Sequence, residues 1–235
     1  MKLFRRSLNF LRRLLKKPWK KSYAQSGEDL IVAFLLADIL QIAKPTYLDI
    51  GAHHPYEINN TYFFYKLGFR GVCVEANPKL IGPFKRWRRR DACLNVGVGD
   101  GSTNRADFYV MNLPSLSTFS KKERDSYTMS GYSVKKVIQV DLVSINAIIA
   151  KYYTPFPNFV SLDTEGYDES ILQSFDFTRF RPEVFCIETV DLVTGQKLNR
   201  IDQIMVKNGY HKYADTFINT IYVEEAAFNR YFIKA

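Results

Sequence analysis

The sequence predicts an α/β fold with a mostly parallel sheet of seven strands, helices on both faces and an antiparallel edge formed by the last strands. Short runs rich in β-branched and aromatic residues alternate with stretches of helical length along most of the chain, which is the pattern of strand–helix–strand units around a parallel sheet. The final two β runs have no helix between them and therefore predict a hairpin. At 235 residues the chain has the length of one domain or a tight pair.

The elements follow in a regular order after the basic N-terminal segment. The first helix is predicted over the apolar residues 30–40, with Ser26 and Asp29 forming a capping box ahead of it and Pro45 behind it. The predicted strands cover residues 46–50, 71–75, 92–98, 159–163, 184–188, 210–214 and 219–223. The remaining predicted helices cover residues 61–67, 78–88, 168–175 and 196–207.

Residues 112–136 depart from this alternation. They are rich in Ser, Thr, Lys and Tyr and show little hydrophobic periodicity. Because a long polar insertion in a compact domain is commonly a functional loop, we predict that this segment covers the active site. A disordered connection is the alternative that the residues leave open.

The net charge of +9 resides entirely in the N-terminal segment. Residues 1–21 contain nine of the 33 Lys and Arg residues and no acidic residue, so the other 24 basic residues balance the 24 acidic ones. We therefore predict two parts: a basic amphipathic helix over residues 1–21 and a globular domain over residues 22–235. The balanced charge of the domain gives no reason to expect a nucleic-acid partner.

The basic segment has the composition of a helix that lies in an anionic membrane interface. Its apolar residues recur at helical spacing between Lys and Arg, namely Phe4, Leu8, Leu11 and Leu15. The pair Arg12-Arg13 interrupts the apolar run that a secretory signal needs. An organelle transit peptide and a helix packed on its own domain or on a partner are the alternatives.

The cysteines and the hydropathy pattern indicate the compartment. Cys73, Cys93 and Cys186 form no CxxC pair and cannot all pair within one chain, so we predict buried, reduced thiols. Such thiols are typical of a reducing compartment. No uninterrupted apolar run is long enough to span a bilayer. We therefore expect a cytoplasmic protein, held at the inner face of the membrane by its basic segment.

Acidic residues and a glycine turn stand at the ends of the first three predicted strands. Asp49 and Gly51 end the first strand, and Glu75 ends the second. A glycine lets the backbone approach a ligand, and a carboxylate at the end of the second strand can accept both hydroxyls of an adenosine ribose. Asp100 follows the third strand, where it is placed to meet an adenine amino group. Because these ends share one edge of the sheet, they predict a nucleoside site.

The turn after the first strand argues against a dinucleotide. Only Gly51 in this turn is a glycine, whereas pyrophosphate binding typically needs Gly-x-Gly-x-x-Gly. S-adenosylmethionine has no phosphate, and its cationic sulfonium and ammonium groups suit carboxylates such as Asp49. Two alternatives remain open: a nicotinamide-dependent dehydrogenase, for which Tyr132 and Lys136 are the nearest approach to a Tyr-x-x-x-Lys pair, and a non-enzymatic membrane- or nucleic-acid-binding module driven by the basic segment.

Four motifs extend this interpretation across nearly the whole chain after Tyr23. They are Ser26-Gly-Glu-Asp29, Asp49-Ile-Gly-Ala52, Val74-Glu-Ala-Asn-Pro78 and Leu162-Asp-Thr-Glu-Gly166, with Asn59-Asn-Thr61 between the second and third. Together they resemble the FkbM-type methyltransferase family. The resemblance implies a Rossmann-like class I methyltransferase fold that transfers a methyl group from S-adenosylmethionine, most often to an oxygen of a carbohydrate, glycolipid or related natural product.

The resemblance also implies the positions of a cofactor pocket. Its methionine end would be closed by Gln25, Ser26 and Glu28, its floor formed by Asp49, Gly51 and Ala52, and one wall by Asn60 and Thr61. Glu75 would hold the ribose, Ala76 would lie against the adenine, and Asp100 would lie at its edge. The chain departs from the family pattern after Ala52, where His53, His54 and Pro55 replace an asparagine and a further glycine. This departure puts backbone approach after Ala52 in question and leaves Asp49 and Gly51 intact.

Methyl transfer to a hydroxyl needs a positioned acceptor and gains from a general base. Asp163 and Glu165, at the end of the fourth strand, are the candidates for that base, with His54 as a third. Glu188 ends the fifth strand on the same edge, where it either lines the acceptor pocket or serves as a structural partner. His53 and His54 with the two acids form an alternative metal site. We predict no metal, because these ligands share no single element.

Overall fold

The computed structural model describes residues 21–191 and 194–233. Its strands are β1 (Tyr47–Ile50), β2 (Gly71–Val74), β3 (Ala92–Leu94), β4 (Gly97–Gly99), β5 (Arg105–Met111), β6 (Val134–Ser144), β7 (Phe159–Leu162), β8 (Val184–Glu188), β9 (Tyr210–Asp215) and β10 (Asn219–Glu224). Its helices are α1 (Glu28–Phe34), α2 (Tyr62–Lys66), α3 (Ile81–Trp87), α4 (Lys121–Met129), α5 (Ile145–Tyr152), α6 (Asp168–Ser174), α7 (Asn199–Lys207) and α8 (Glu225–Ile233). The helix predicted over residues 1–21 lies outside the described residues, apart from Lys21.

The main sheet has seven strands in the order β3-β2-β1-β7-β8-β10-β9. The first five run parallel, while β10 is antiparallel to both β8 and β9. Helical connections place successive parallel strands side by side, and the short β9–β10 connection reverses the chain, as a hairpin must. The predicted class I fold and its antiparallel C-terminal edge are confirmed.

Apolar side chains cover both faces of this sheet, because parallel strands are buried on both sides. One face of the sheet packs Leu48, Val160 and Phe185 against Ile149 and Ile201 of helices α5 and α7. The opposite face packs a second apolar group, which includes Tyr47, Phe159, Val184, Leu36 and Phe64. Successive side chains of each strand therefore point to opposite faces of the sheet, and each face is covered by helices, as predicted.

The predicted strand over residues 92–98 is in fact two strands in two sheets. β3 pairs with β2, whereas β4 pairs with β6 in a separate three-stranded sheet, in the order β4-β6-β5. The Asn95 side chain lies between them and donates to the carbonyl oxygens of Glu75 and Ala76 at 2.8 and 3.1 Å. A Cβ at Gly97 would lie 2.4 Å from the Phe119 ring. The chain therefore bends at Asn95 so that this glycine can pack against the second sheet.

Residues 112–133, which we call the flap, join β5 to β6 and have regular structure. They contain the 3₁₀ turn Pro114–Leu116 and helix α4, whose N-cap Ser120 accepts from the Glu123 N–H. Most of the predicted irregular segment is thus an ordered insertion between two antiparallel strands. The strands β5 and β6 are absent from the sequence prediction, because their exposed polar residues obscure the period-2 pattern. Helices α5 and α8 are also absent from the prediction.

Helix α1 begins differently from the predicted capping box. Its N-cap is Gly27, with φ +90° and no side-chain cap hydrogen bond. The Ser26 N–H instead donates to the Glu28 carboxylate at 2.8 Å. Both acidic residues of the motif, Glu28 and Asp29, are fully buried. The Asp29 carboxylate accepts hydrogen bonds from Ser22 Oγ at 2.6 Å and from the Tyr23 N–H at 2.7 Å. The motif ties the preceding loop to the domain instead of capping the helix.

The remaining sequence expectations concern cysteines and the membrane. Cys73, Cys93 and Cys186 are all free thiols, and Cys73 and Cys186 are buried. Within residues 21–191 and 194–233, no helix combines the length and the hydropathy that crossing a bilayer requires.

Candidate active site

A pocket opens at the carboxyl ends of β1, β2, β7 and β8, and the flap forms one of its walls. This is the edge of an open α/β sheet where ligands typically bind. Its polar lining includes Gln25, His53, Glu75, Asp163, Thr164, Glu165 and Glu188. Its apolar lining includes Ile58, Ala76, Leu80, Val96, Val98, Phe108, Leu116 and Phe119.

Gly51 brings β1 and β7 together at the base of the pocket. Its φ is +76°, and a Cβ there would lie 1.6 Å from the carbonyl oxygen of Asp163. Only glycine combines this conformation with this approach. The Gly51 N–H donates to the Val74 carbonyl oxygen at 3.0 Å, which also holds the turn against β2. Asp163 and Glu75 therefore face one pocket because of this glycine.

Glu75 lies in the pocket wall as a strand-end acid. Its carboxylate accepts from the N–H groups of His53 at 2.9 Å and Asn77 at 2.6 Å. Each oxygen keeps a lone pair for a ligand hydroxyl. Burial raises the pKa of Glu75 to about 7, although those two hydrogen bonds lower it. Ala76 and Val96 continue this wall with apolar surface suited to a planar base.

Asp49 does not line the pocket. It is linked to a buried arginine through a shared hydrogen-bond partner, Thr61. Its carboxylate accepts from Thr61 Oγ1 at 2.7 Å and Asn59 Nδ2 at 2.9 Å. Arg88, whose side chain is 0% exposed, donates to Thr61 Oγ1 at 2.8 Å and binds Asp91 at 2.7 Å. Burial raises the pKa of Asp49, and the Arg88 charge is the largest influence lowering it. We call these five side chains the arginine cluster.

The structure differs from the expected methionine end of the pocket. Of the residues expected there, Gln25 lines the pocket, whereas Ser26 and Glu28 do not. The Glu28 carboxylate is fully buried and accepts from Thr216 Oγ1 at 2.7 Å and Asn219 Nδ2 at 3.0 Å. It therefore joins α1 to the β9–β10 hairpin.

Three of the expected floor and wall residues also support neighbours instead of lining the pocket. Ala52 packs in an apolar group with Cys73 and Phe84. Asn60 Nδ2 donates to Ser161 Oγ at 3.0 Å. Thr61 belongs to the arginine cluster: it is fully buried, and its hydroxyl donates to Asp49 and accepts from Arg88.

Asp100 lies outside the pocket, contrary to the expectation that it meets an adenine. It is exposed, and its carboxylate accepts from the N–H and hydroxyl of Ser102 at 2.8 and 2.6 Å. The displacement follows from the bend at Asn95, which moves β4 to the second sheet. Val96, Gly97 and Val98 line the pocket in its place.

The two histidines of the first turn diverge. His53 lines the pocket, and burial lowers its pKa. His54 does not line the pocket: its Nδ1 accepts from the Glu57 N–H at 3.0 Å, and its ring packs against Tyr56 with 4.6 Å between ring centroids. His54 is therefore too poorly placed to act as the general base suggested by the sequence.

Asp163 and Glu165, which are partly buried, and Glu188, which is buried, form a second acidic group, which we call the carboxylate cluster. One oxygen of each lies within 4.8 Å of the others. Burial, followed by the nearby charge of Asp168, raises the pKa of Asp163 to about 7. Burial also raises the pKa values of Glu165 and Glu188 well above their usual range. Among the pocket-lining residues that the structure describes, none is a Lys or Arg.

The carboxylate cluster has the donor set of a hard cation site. Carboxylate oxygens suit Mg²⁺, Ca²⁺ or Mn²⁺, and these three side chains are close enough to share one ion. No histidine of the described chain belongs to this group. His53 and His54 therefore do not group with Asp163 and Glu165, and the third member of the group is Glu188.

The flap meets the carboxylate cluster at Glu165. Tyr127 Oη donates to Glu165 Oε2 at 2.5 Å, and Thr118 Oγ1 donates to the Glu165 carbonyl oxygen at 2.6 Å. Glu165 has φ +54°, a conformation that costs a residue other than glycine about 1–3 kcal/mol. A Cβ at the next residue, Gly166, would lie 2.7 Å from Glu123 Cγ. The sequence offered no signal for Tyr127, because contacts between an insertion and a distant loop leave no local pattern.

Comparisons with known proteins give a family match and several fold matches. The Methyltransferase FkbM domain model matches residues 49–212. A methyltransferase FkbM from Methylobacillus flagellatus has 12% identity and a TM-score of 0.44, with 93% of this chain and 59% of that chain covered. This chain thus spans 59% of that protein's length. No curated protein sequence matches this chain.

Two further solved structures have comparable sequence identities and TM-scores. A precorrin-6y C5,15-methyltransferase from Geobacter metallireducens has 13% identity and a TM-score of 0.44, covering 88% of this chain and 93% of its own. A 1,6-didemethyltoxoflavin-N1-methyltransferase from Burkholderia thailandensis, with bound S-adenosylhomocysteine, has 12% identity and a TM-score of 0.39. It covers 85% of this chain and 77% of its own.

Proposed function

The chain belongs to the methyltransferase FkbM family, and from that premise we propose that it transfers a methyl group from S-adenosylmethionine to a hydroxyl of a carbohydrate, glycolipid or related natural product. S-adenosylmethionine is the cofactor of this family, and when bound it supplies a methyl carbon made electrophilic by a sulfonium. The observation that carries the proposal is the carboxylate cluster, which faces the pocket with no Lys or Arg in the described lining.

The charges of the pocket fit the cofactor. A sulfonium and an ammonium group are cations, and Coulomb attraction to buried carboxylates is strong because the local dielectric constant is low. Glu75 keeps lone pairs for two ribose hydroxyls beside the apolar surface of Ala76 and Val96. The single-glycine turn at Gly51 offers no cradle for a pyrophosphate, so a nicotinamide dinucleotide is disfavoured.

The same carboxylates support a hydroxyl acceptor. A neutral hydroxyl can donate to an ionised carboxylate, which takes its proton as the new O–CH₃ bond forms and the S–CH₃ bond breaks. Asp163 and Glu165 line the pocket, and they are the groups to which we assign this role. A pKa near neutrality, such as that of Asp163 at about 7, suits a group that must accept and then release a proton. An anionic acceptor would be repelled by this wall.

The first experiment measures cofactor binding by calorimetry with S-adenosylmethionine, S-adenosylhomocysteine and NAD⁺. We expect both adenosyl ligands to bind and NAD⁺ to bind far more weakly. Glu75→Gln should weaken both adenosyl ligands about tenfold, because a ribose hydrogen bond to a charged group is lost. The matched control is Asp100→Asn, which removes an exposed acid outside the pocket and should leave both affinities unchanged. Equal affinity for NAD⁺ would contradict the proposal.

The acceptor is then tested by transfer of labelled methyl groups to glycan and glycolipid fractions of the cell envelope. We expect label in an alkali-stable ether, because an O-methyl sugar resists saponification whereas a methyl ester does not. Label confined to esters or amines would exclude the hydroxyl acceptor while leaving cofactor use intact.

We also propose that residues 1–21 hold the enzyme at an anionic membrane surface, where an amphipathic acceptor would be found. The support is the concentration of nine Lys and Arg residues in that segment. Sedimentation of the full chain with phosphatidylglycerol vesicles tests this, with phosphatidylcholine vesicles as the control. Binding that does not depend on anionic lipid, or that survives replacement of Arg12, Arg13, Lys16 and Lys17 by Gln, would contradict it.

A further inference from the structure

Five aromatic side chains form a continuous group on helices α2 and α3 and on the loops beside them. Tyr62 is at its centre, and the ring centroids of Tyr23, Tyr56 and Tyr65 lie 4.9, 5.8 and 6.0 Å from its own. Trp87 extends the group, with 5.3 Å between its ring centroid and that of Tyr56. The four tyrosines are partly buried and Trp87 is 48% exposed, so the group forms part of the protein surface.

Positive charges border these rings. Four exposed cations lie within about 6 Å of a ring centroid in the group, where a cation is attracted to an aromatic face. The nearest is Arg90, whose guanidinium carbon lies 3.9 Å from the centroid of Tyr65. We call the five rings and these four cations the basic aromatic patch, the cations being Lys21, Lys66, Arg86 and Arg90.

The charge of the domain is concentrated around this patch. Residues 62–90 contain eight Lys and Arg residues and one acidic residue, Glu75, which lines the pocket. Seven of the eight basic residues are exposed. Residues 22–235 are neutral as a whole, so the rest of the domain has a net charge of −7. The adjoining loop adds one exposed acid, Glu57, which leaves the patch strongly basic. Such an asymmetry turns the basic side of a protein toward an anionic surface.

Helices α2 and α3 cover the same face of the main sheet. Phe64 of α2 packs with Tyr47 of β1, and Phe84 of α3 packs with Cys73 of β2. Cys73 pairs with Asp49, which is two residues from Tyr47 and therefore points to the same face. The outer residues of both helices thus lie on one side of the domain, whereas α5 and α7 cover the other face.

The basic N-terminal segment joins the domain within the patch. Lys21 is the last basic residue of that segment and the first residue that the structure describes. The next patch residue, Tyr23, is held by its main chain: its N–H donates to the Asp29 carboxylate at 2.7 Å, and its carbonyl oxygen accepts from the Asn59 N–H at 2.8 Å. The charges of residues 1–21 are therefore attached to the side of the domain that is itself basic.

The loops that carry the patch also lead to the pocket. Gln25 lines the pocket two residues after Tyr23, and Ile58 lines it two residues after Tyr56. Ile58 is 65% exposed and has φ +47°, which is an outlier for a β-branched residue. Strain of this kind is typical of functional positions. An exposed apolar side chain at the rim of the pocket is suited to contact with lipid.

We propose that the basic aromatic patch binds an anionic phospholipid surface together with residues 1–21, with Trp87 and Ile58 in the headgroup region. Lys and Arg residues are attracted to anionic headgroups, and Trp and Tyr favour the interface because their rings combine an apolar body with a polar edge. The inference rests on the proposed function, to which it adds an orientation. The rim of the pocket at Ile58 faces the lipid, so a lipid-linked acceptor reaches the pocket without leaving the membrane. The patch supplements the N-terminal segment, since stable anchoring commonly needs two signals.

The fluorescence of Trp87 reports its contact with lipid. The chain has two tryptophans, Trp19 and Trp87, so Trp19→Phe leaves Trp87 alone in the full chain. With phosphatidylglycerol vesicles its emission should shift to shorter wavelength, and brominated phosphatidylglycerol should quench it. Phosphatidylcholine vesicles should cause neither change. Binding through residues 1–21 alone would leave Trp87 in water.

The matched control places a tryptophan on the other face of the domain. It is Tyr152→Trp in a chain whose Trp19 and Trp87 are both replaced by Phe. Tyr152 is 37% exposed and ends helix α5, so its replacement should emit identically with and without vesicles. Equal quenching at both positions would show that the domain binds without a preferred orientation and would overturn the inference.

The contribution of charge is measured by sedimentation of the full chain with phosphatidylglycerol vesicles. Joint replacement of Lys85, Arg86 and Arg89 by Gln should weaken binding by at least about tenfold, because basic residues near an anionic surface add to its attraction. The control removes the same charge beside α5 and α7 and should change binding by less than about twofold, because charges on the other face are screened from the membrane. It replaces Lys151, Arg179 and Lys207 by Gln. Equal losses in both variants would contradict a role for the patch.

The outcomes separate this inference from the proposals on which it rests. Vesicle binding with Trp87 unquenched would overturn the inference and leave anchoring by residues 1–21 intact, whereas a wild type that does not sediment would overturn both. A loss of binding to a single-stranded oligonucleotide, with vesicle binding unchanged, would identify a nucleic-acid surface instead. The affinity of the Lys85, Arg86 and Arg89 variant for S-adenosylmethionine should match the wild type, because these residues do not line the pocket. A wild type that binds no S-adenosylmethionine would contradict the proposed methyl transfer, not the membrane surface.

Discussion

Two acidic groups lie within a few residues of the same sheet edge, and they differ in whether a cation lies among their carboxylates. In the arginine cluster, Arg88 binds Asp91 at 2.7 Å and reaches Asp49 through Thr61. In the carboxylate cluster, three acids lie within 4.8 Å of one another, and the described pocket lining adds no Lys or Arg. The first group therefore has a buried cation among its two acids, whereas the described pocket lining gives the second group none.

This difference distinguishes a group with a structural role from a group with a functional role near the turn that follows β1. The Arg88 guanidinium also donates to the carbonyl oxygen of Pro55 at 3.0 Å and to Asn59 Oδ1 at 3.2 Å. Its donors are thus used to hold the loop that carries His53 and Ile58 to the pocket. A buried charge whose partners are all protein groups has a structural role. Buried acids without a protein counterion are instead typical of functional sites.

The largest effect should follow removal of the balancing cation. Arg88→Met should lower the free energy of unfolding by about 3–5 kcal/mol, because it leaves buried carboxylates without a partner. Urea denaturation followed by circular dichroism measures this. Arg89→Met is the matched control on an exposed neighbour and should stay within about 0.5 kcal/mol of the wild type. Similar effects in both variants would contradict the assigned role of Arg88.

Removing a charge from the carboxylate cluster should have the opposite effect on stability. Glu165→Gln relieves repulsion from Asp163 and should raise the free energy of unfolding at pH 8 by about 1 kcal/mol, as expected where stability and activity conflict. The same variant should weaken S-adenosylmethionine binding about tenfold, because the loss of a charged partner costs 1.5–3 kcal/mol. A variant that became less stable and kept full affinity would contradict the contrast between the clusters.

The pH dependence of stability gives a smaller effect that sharpens the comparison. Burial raises the pKa values of Asp163 and Glu75 to about 7 and that of Asp168 to about 6, above their unfolded values near 4. Between pH 4 and 7 the folded state therefore binds more protons than the unfolded state, so stability rises as the pH falls through this window. The melting temperature of the ligand-free protein should increase from pH 8 to pH 5.5.

Saturating S-adenosylmethionine supplies the control for that measurement. A bound sulfonium favours the ionised carboxylates, so the complex should lose most of the increase in melting temperature seen without ligand. S-adenosylhomocysteine should flatten the profile less, because it lacks the sulfonium charge. A ligand-free melting temperature that falls steadily below pH 8 would show that the carboxylate cluster does not dominate the titration.

The smallest effect is expected at His54, which lies outside both clusters. Its Nδ1 accepts from the Glu57 N–H within its own turn, so His54→Asn should change the affinity for S-adenosylmethionine by less than about twofold, as surface changes away from such sites usually do. Calorimetry at pH 7 measures the difference. A loss as large as that of Glu75→Gln would restore His54 as a site residue.

The sequence was sufficient to predict the strand ends that carry the site. Gly51, Glu75, Asp163 and Glu165 were predicted at the ends of parallel strands, and all four line one pocket, because the carboxyl ends of parallel strands share one edge. The mostly parallel sheet and its antiparallel edge followed from the alternation of elements. These features depend on local patterns, which the sequence contains in full.

Features that depend on contacts between distant segments were not predicted. In the sequence, Arg88 resembles any basic residue at the end of a helix. Its guanidinium in fact binds Pro55 and Thr61, which lie 33 and 27 positions earlier in the chain. Asp100 was misplaced because the bend at Asn95 is set by main-chain carbonyls of another strand. The flap seemed irregular because its order comes from contacts with β5 and with Glu165 in the loop after β7. Such tertiary contacts leave no periodicity to detect.

The flap connects two strands of the three-stranded sheet and is therefore separate from the main sheet. The segment between β5 and β6 supplies Pro114, Leu116 and Phe119 to the pocket, while the turn at Gly51 and the acid at Glu75 belong to the main sheet. Replacements within residues 112–133 would therefore change one wall of the pocket while leaving Gly51 and Glu75 of the main sheet in place. Exchange of this segment between relatives would therefore show whether the flap selects the acceptor in the proposed methyl transfer.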